Sequence, residues 1–137
     1  MPYLLDTDHI SLHQRGHPSV SARVGATPFG EIAVSIVSVE EQLRGWLTVI
    51  HGARGGAARV RAYAALHIAV SYFCRVPILD FNTAADARTE SLQAQKVRLG
   101  TQDLRIAAIA LNAGYIFVTR NRRDFSQVPG LQIEDWT

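Results

Sequence analysis

The amino-acid sequence predicts an α/β fold with a mainly parallel central sheet. Short apolar runs alternate along the chain with longer stretches of helical periodicity, and parallel strands require such helical connections. Turn signals such as GARGG and VPG separate the runs, and no internal repeat or linker interrupts them. We therefore expect residues 1–137 to form one domain.

The first half of the chain predicts two strands and three helices. The apolar residues 3–5 predict a short strand, and a helix can begin after Asp8. The segment 31–38, EIAVSIVS, is rich in β-branched residues and predicts a buried strand. Apolar residues at helical spacing predict a helix from 39 to about 51, and the alanine-rich segment 57–75 predicts another.

The second half of the chain alternates in the same way. PILDF, YIFVT (115–119) and LQIEDW predict three short strands, which brings the sheet to about five strands. Residues 82–98 predict a helix with Asn82 or Thr83 as its N-cap. QDLRIAAIALNAG predicts a helix that ends at Gly114, and RNRRDF predicts a turn or a short helix.

Composition excludes several classes of protein. The chain has 47% hydrophobic and 19% charged residues, which is typical of a globular protein. It has no apolar run of the roughly 18 residues that a membrane span needs, and no signal-peptide pattern. Its one cysteine, Cys74, cannot form an internal disulfide, so we expect a cytoplasmic protein. We expect Cys74, within SYFCRV, to pack in the core.

The basic residues are almost all arginine. The net charge is +2, and Lys96 is the only lysine. Clustered guanidinium groups match phosphate geometry, although a solvated surface explains each cluster equally well. The two clusters are Arg54, Arg59, Arg61 and Arg75, and near the end Arg120, Arg122 and Arg123.

Acidic residues stand close to the predicted strand ends and helix starts. The carboxyl ends of parallel strands meet at one edge of a sheet, so at least three acids could converge there. Such a cluster repels itself unless a cation neutralises it, and carboxylates without paired Cys or His favour Mg²⁺ or Mn²⁺. Alternatively, each acid only caps a helix or favours its dipole. The acids are Asp6, Glu40 and Glu41 in the predicted first turn of a helix, Asp103, and Asp124.

Four motifs occur in order between Tyr3 and Trp136: LLDTD, SVEEQLRG, GTQDLRIAAIAL and VTRNRRDFSQVPGL. This series resembles the PIN-domain ribonucleases, specifically the VapC toxins of bacterial toxin–antitoxin pairs. The resemblance implies a PIN-like three-layer fold with helices on both sides of the sheet. It also implies a pocket of four acids, one or two Mg²⁺ or Mn²⁺ ions, RNA cleavage, and inhibition by a VapB-like antitoxin.

The resemblance assigns the four acids residue by residue. The second acid of the family precedes a glycine by four positions, so Gly45 selects Glu41 rather than Glu40. We expect Asp6 and Asp103 to be direct metal ligands. The other two acids would bind the ion through water, bind a second ion or orient the attacking water. The assigned acids are Asp6, Glu41, Asp103 and Asp124.

Neighbouring residues are expected to support the acids. Thr7 and Thr119 offer small hydroxyls that can orient carboxylates or water, and Asn121 could act as a water-mediated ligand. The family usually has asparagine where this chain has Asp8, which leaves the role of Asp8 open. We expect His9 to lie on the helix rather than to act in catalysis. The best candidates for holding the RNA backbone are Arg120, Arg122 and Arg123.

The resemblance also implies two protein partners. VapC-like proteins usually form homodimers, and the antitoxin usually lies in a groove. The helical region from Leu43 to Tyr72 could line that groove with its aromatic side chains, which could equally be core residues: Trp46, Tyr63 and Tyr72.

Two alternatives remain at this stage. LLDTD also fits the Asp-x-Asp opening of haloacid-dehalogenase-like phosphatases, but Lys96 is the only lysine and no late Asp-Asp pair occurs. A non-catalytic PIN-like module that binds RNA or a partner is the other, and the presence of all four acids argues against it.

Overall fold

A computed structural model describes all 137 residues and contains one five-stranded sheet in the order β3-β2-β1-β4-β5. Every strand pair is parallel, which confirms the predicted α/β fold. The strands are β1 (Tyr3–Leu5), β2 (Ile32–Ser35), β3 (Ile78–Leu79), β4 (Ile116–Val118) and β5 (Ile133–Glu134).

Seven α-helices connect and flank these strands. No helix is both long enough and apolar enough to cross a membrane. The helices are α1 (Thr7–Gln14), α2 (Pro18–Ala26), α3 (Ile36–Gly52), α4 (Gly56–Phe73), α5 (Thr83–Ala94), α6 (Thr101–Ala113) and α7 (Arg122–Phe125), with a 3₁₀ turn at Phe29–Glu31.

The sheet lies between two layers of helices because alternate strand residues point to opposite faces. Leu4 and Phe117 pack on one face with buried residues of α5 and α6. Leu5 and Val118 pack on the other face with buried residues of α1 and α2. The structure therefore has the predicted three layers.

The strand predicted at 31–38 is shorter than expected. It ends at Ser35, whose side chain accepts a hydrogen bond from the backbone N–H of Ser38 at 3.0 Å and so caps α3. Helix α3 therefore starts at Ile36, and Glu40 and Glu41 lie in its second turn rather than in the predicted first turn.

Other differences concern helix ends. Helix α5 ends at Ala94 instead of residue 98, and α2, which begins with Pro18, was not predicted. Gly114 ends α6 in the left-handed conformation, with φ of 71°, as its sequence position indicates. The prediction for Cys74 is wrong: the residue caps the end of α4 and is exposed.

Candidate active site

Three parallel strands end together at one edge of the sheet. Leu5 pairs in register with Val34 on one side and Val118 on the other. The following residues, Asp6 after β1 and Thr119 after β4, therefore lie side by side, and the Asp6 N–H donates to the Val118 carbonyl at 2.9 Å. The sheet register thus forms the floor of the site.

Asp6 is held by two donors at this edge. The Thr7 N–H donates to Oδ1 and the Thr119 hydroxyl donates to Oδ2, both at 2.8 Å. The side chain is nevertheless buried, and burial raises the Asp6 pKa to about 7, with a further contribution from the charge of Asp8. The neutral form of Asp6 is therefore favoured below about pH 7, and a bound cation would favour the carboxylate.

Thr7 connects Asp6 to α3. Its hydroxyl is hydrogen-bonded to the Ser38 hydroxyl at 2.9 Å and donates to Glu41 Oε1 at 3.3 Å. Burial raises the pKa of Glu41, and the charge of Asp103 adds to the effect. Glu40 instead is exposed and forms a salt bridge with Arg44. The structure therefore directs Glu41, not Glu40, towards Asp6.

Asp103 and Asp124 approach the same edge from α6 and α7. Burial raises the pKa of Asp103, and the charges of Asp124 and Asp8 raise it further. Asp124 Oδ2 accepts a hydrogen bond from the Asn121 amide at 3.0 Å. The Asn121 N–H in turn donates to the Thr119 hydroxyl at 3.0 Å, which links Asp124 to β4.

Asp8 belongs to the same group of acids. Its Oδ1 lies 2.8 Å from Nδ1 of His9, and its Oδ2 accepts from the Arg120 N–H at 3.1 Å. His9 lies on α1, as expected, and is fully buried. Its Nε2 accepts a hydrogen bond from the Trp136 N–H at 3.2 Å.

The donor set suits a hard divalent cation. The groups at the edge are carboxylates and hydroxyls, with no cysteine, and Mg²⁺ and Mn²⁺ prefer such oxygen ligands. No three Asp, Glu, His or Cys side chains are close enough to ligate one ion together. Mg²⁺ usually keeps several waters and takes only one or two carboxylates directly, so the residues fit this ion with water completing the ligation.

The structure therefore brings together the predicted acids and their neighbours. Sequence reasoning missed two buried serines, Ser35 and Ser38, whose hydroxyls lie 3.2 Å apart behind Thr7. Their S-x-x-S spacing is a helix-cap signal that the assumed strand concealed. The predicted residues near this edge are Asp6, Thr7, Asp8, Glu41, Asp103, Thr119, Asn121 and Asp124.

The three arginines predicted to hold RNA follow β4. Arg120, Arg122 and Arg123 are exposed, and none forms a salt bridge. Their guanidinium groups are therefore free to contact an anion close to the acids.

A groove runs between α1, α3 and α4. One part has a volume of about 540 Å³ and the next about 520 Å³, and both are lined by Trp46, Val49 and Ala65. The three aromatic residues predicted for a groove are separated in the structure. Trp46 lines this groove, whereas Tyr63 is 59% exposed and Tyr72 lines another cavity with His13.

The parallel sheet and the acids at its carboxyl edge define a PIN-type domain. No protein-family model matches the sequence. The tRNA(fMet)-specific endonuclease VapC of Shigella flexneri is 31% identical over 142 aligned positions, which cover 100% of this chain and 99% of that protein. The protein of the same name from Salmonella typhimurium is 34% identical over 94 positions, which cover 66% of this chain and 69% of that protein. The chain belongs to the VapC family.

Solved structures agree with this assignment. The DNA-bound VapBC of Salmonella typhimurium superposes with a TM-score of 0.76 at 27% identity, covering 100% of this chain and 99% of that chain. VapBC2 of Rickettsia felis, bound to a promoter DNA fragment, has the same fold, with a TM-score of 0.76 at 23% identity and 100% coverage of both chains.

Proposed function

We propose that this chain is a VapC-type endoribonuclease toxin that hydrolyses RNA phosphodiester bonds with bound Mg²⁺ or Mn²⁺ in the cytoplasm. Membership of the VapC family supports the ribonuclease activity. The observation that carries the metal dependence is the meeting of carboxylates from α3, α6, α7 and the end of β1, two of them held by Thr7 and Thr119.

Each side chain has a role in this proposal. Asp6 and Asp103 would hold the ion directly, while Glu41 and Asp124 would bind it through water, bind a second ion or orient the attacking water. The bound ion supplies a lowered pKa for water and neutralises charge on the scissile phosphate. Thr7 and Thr119 keep the carboxylates in place through their hydroxyl groups.

The exposed arginines after β4 would bind the RNA backbone: Arg120, Arg122 and Arg123. Guanidinium groups offer paired donors to phosphate oxygens, and such contacts position RNA without reading its bases. We expect this part of the affinity to weaken as salt concentration rises.

Replacement of Asp6 tests the metal-dependent cleavage. Asp6→Asn keeps the size of the side chain but removes a negative ligand, so we expect cleavage of an RNA substrate with Mn²⁺ to fall by about 100-fold or more. Glu90→Gln is the control, because Glu90 is an exposed acid on α5. Cleavage that Asp6→Asn leaves unchanged would contradict the mechanism.

Two further measurements on the wild-type chain separate the alternatives. Transfer of labelled phosphate from a small phosphoester to Asp6 would indicate phosphatase chemistry instead. Absence of cleavage by the wild-type chain, with RNA still bound, would indicate a non-catalytic module.

We propose that the groove between α1, α3 and α4 receives a VapB-like antitoxin. Solved relatives are VapBC complexes, and the groove offers apolar side chains such as Trp46 and Val49. Arg15, Arg54 and Arg61 lie along its lining, and no acid does. An antitoxin segment with aliphatic anchors and acidic residues would complement this surface.

We also propose a homodimer that buries the outer face of α4. Val60, Tyr63, His67, Val70 and Cys74 follow one another at alternating spacings of three and four residues, the pattern of a helix–helix contact. All five are exposed in the isolated chain. A second copy would cover this stripe, which lies away from the groove.

A further inference from the structure

Two N–H groups point at the two carboxylate oxygens of Asp8. The Arg120 N–H donates to Oδ2, and that donor cannot be reversed because it belongs to the main chain. The other contact, 2.8 Å between Oδ1 and His9 Nδ1, has a direction that depends on the position of the imidazole proton.

The main chain at Trp136 decides where this proton lies. Its N–H donates to Nε2 of His9 at 3.2 Å, so Nε2 must be the unprotonated nitrogen. A neutral imidazole carries its proton on one nitrogen only, which leaves the N–H on Nδ1, facing Asp8. Nε2 also lies 3.6 Å from Oδ1 of Asp135, a longer contact than the one from the Trp136 N–H.

An asparagine in place of Asp8 would not fit these two donors. Asparagine has one oxygen and one NH₂ group, so either Nδ1–H of His9 or the Arg120 N–H would face another N–H. If the imidazole proton moves to Nε2, this N–H faces the N–H of Trp136 instead. Every arrangement leaves a donor facing a donor, whereas both oxygens of Asp8 accept.

We propose that His9 is a positioning residue that, together with the Trp136 main chain, fixes Asp8 as a fifth carboxylate of the cation site. The inference deepens the proposed function and rests on it. Thr119 and Arg120, which are adjacent in the chain, donate hydrogen bonds to Oδ2 of Asp6 and to Oδ2 of Asp8, so the two carboxylates lie at the same edge of the sheet. The charge of Asp8 in that position strengthens attraction for a divalent ion. Its hydrogen bond from the Arg120 N–H also connects the loop after β4 to α1.

Calorimetric titration of the full chain with Mn²⁺ tests the proposal without any RNA. We expect Asp8→Asn and His9→Ala each to weaken Mn²⁺ binding by about 10-fold or more, the usual effect of removing a residue that orients a metal ligand. His9→Asn can place an amide N–H near the position of Nδ1, and it should restore most of the affinity. Circular dichroism of each variant tests whether it is folded.

Asp135→Asn is the matched control, since it removes an acid beside the other nitrogen of His9. It should leave Mn²⁺ affinity unchanged. Unchanged binding by Asp8→Asn, or an equal loss in Asp135→Asn, would overturn the proposal. If Asp6→Asn abolishes binding while Asp8→Asn does not alter it, only this inference fails; if Asp6→Asn also binds normally, the proposed function fails.

The ¹⁵N chemical shifts of the His9 imidazole give a second measurement that needs no metal. We expect the wild-type chain to show the Nδ1–H tautomer. A proton on Nε2 would overturn the assignment. Because this measurement uses the wild-type chain, it does not depend on whether the variants fold.

Discussion

Asp6 is a carboxyl group in an environment that suits its neutral form. It is only 8% exposed, and burial raises its pKa to about 7. Hydrogen bonds from Thr7 and Thr119 favour the charged form but do not offset the burial. Metal-free protein therefore loses stability when Asp6 ionises.

The pH dependence of unfolding follows from this shift. The unfolded chain releases the Asp6 proton near its ordinary pKa of about 3.9, whereas the folded chain keeps it until about pH 7. The folded state thus binds more protons over this interval, and stability falls as pH rises, by at most about 4 kcal/mol. Urea unfolding in EDTA at about pH 5 and about pH 8 measures this effect. Between these two pH values the free energy of unfolding should fall more for wild type than for Asp6→Asn.

Manganese provides the control for this experiment. Added Mn²⁺ should recover stability at the higher pH in wild type but not in Asp6→Asn, because only the former presents the charged ligand. Equal pH slopes for the two proteins would show that Asp6 does not titrate in this way.

The acids could be located from the sequence because they follow predicted strands and match family motifs. Their hydroxyl partners could be located only in part. Thr7 and Thr119 stand next to the strand ends, but the contact of Ser38 with Thr7 depends on where β2 stops and α3 turns away. Asp8 contacts His9, and His9 accepts a hydrogen bond from the Trp136 N–H. Trp136 lies 128 residues after Asp8, and no local sequence pattern indicates this contact.

At the scale of elements, the first residues of α3 affect both the stability of the fold and the geometry of the candidate active site. Ser35 caps this helix and lies behind Ser38 and Thr7, so the cap also fixes the position of Glu41. Helix α5 has a comparable cap at Asn82, which bonds the Ala85 N–H at 2.9 Å and contacts no residue of the site.

Replacing the two caps separates these effects. Ser35→Ala and Asn82→Ala should each lower the free energy of unfolding by about 1 kcal/mol. Only Ser35→Ala should also reduce RNA cleavage, because it releases the hydroxyl network behind Glu41. Urea unfolding and a cleavage assay on both variants measure this, and equal cleavage in the two would disprove the coupling.

The sequence predicted the long helices well because apolar periodicity is strong over many residues. It failed where two signals compete. EIAVSIVS has the β-branched content of a strand throughout, yet the Ser35 cap turns its second half into helix. Helix α2 is short and rich in small residues, so it carries little periodicity.

At the scale of the whole molecule, none of the acids at the sheet edge lines the groove. Ala65→Arg would fill the groove where its two parts meet. We expect this variant to cleave RNA normally while a co-expressed antitoxin no longer binds or inhibits it. Ala94→Arg, at the exposed end of α5, is the control, and normal inhibition of Ala65→Arg would exclude this groove.

The outer face of α4 makes a separate prediction about assembly. Tyr63→Arg places a charge in the exposed stripe and should convert a dimer to a monomer in sedimentation experiments, since a buried charge without a partner is costly. Arg98→Ala changes an exposed residue outside α4 and should have no effect. A dimer that survives Tyr63→Arg would place the contact elsewhere.

The overall topology could be predicted because strands alternating with helices leave few arrangements. Strand order could not be predicted from any local segment. β1 pairs with β2 and also with β4, which lies more than 100 residues later, and only packing of both faces selects that neighbour.

This strand order also bears on when, during translation, the residues of the cleavage site become available. The first strand made occupies the middle of the sheet, and its second neighbour, residues 116–118, is made near the end. Every residue along the groove precedes Asp103 and Asp124 in the chain. Under the proposed function, translation therefore delivers the segments that would bind the antitoxin before the last two acids of the cleavage site, so an unfinished chain cannot yet cut RNA.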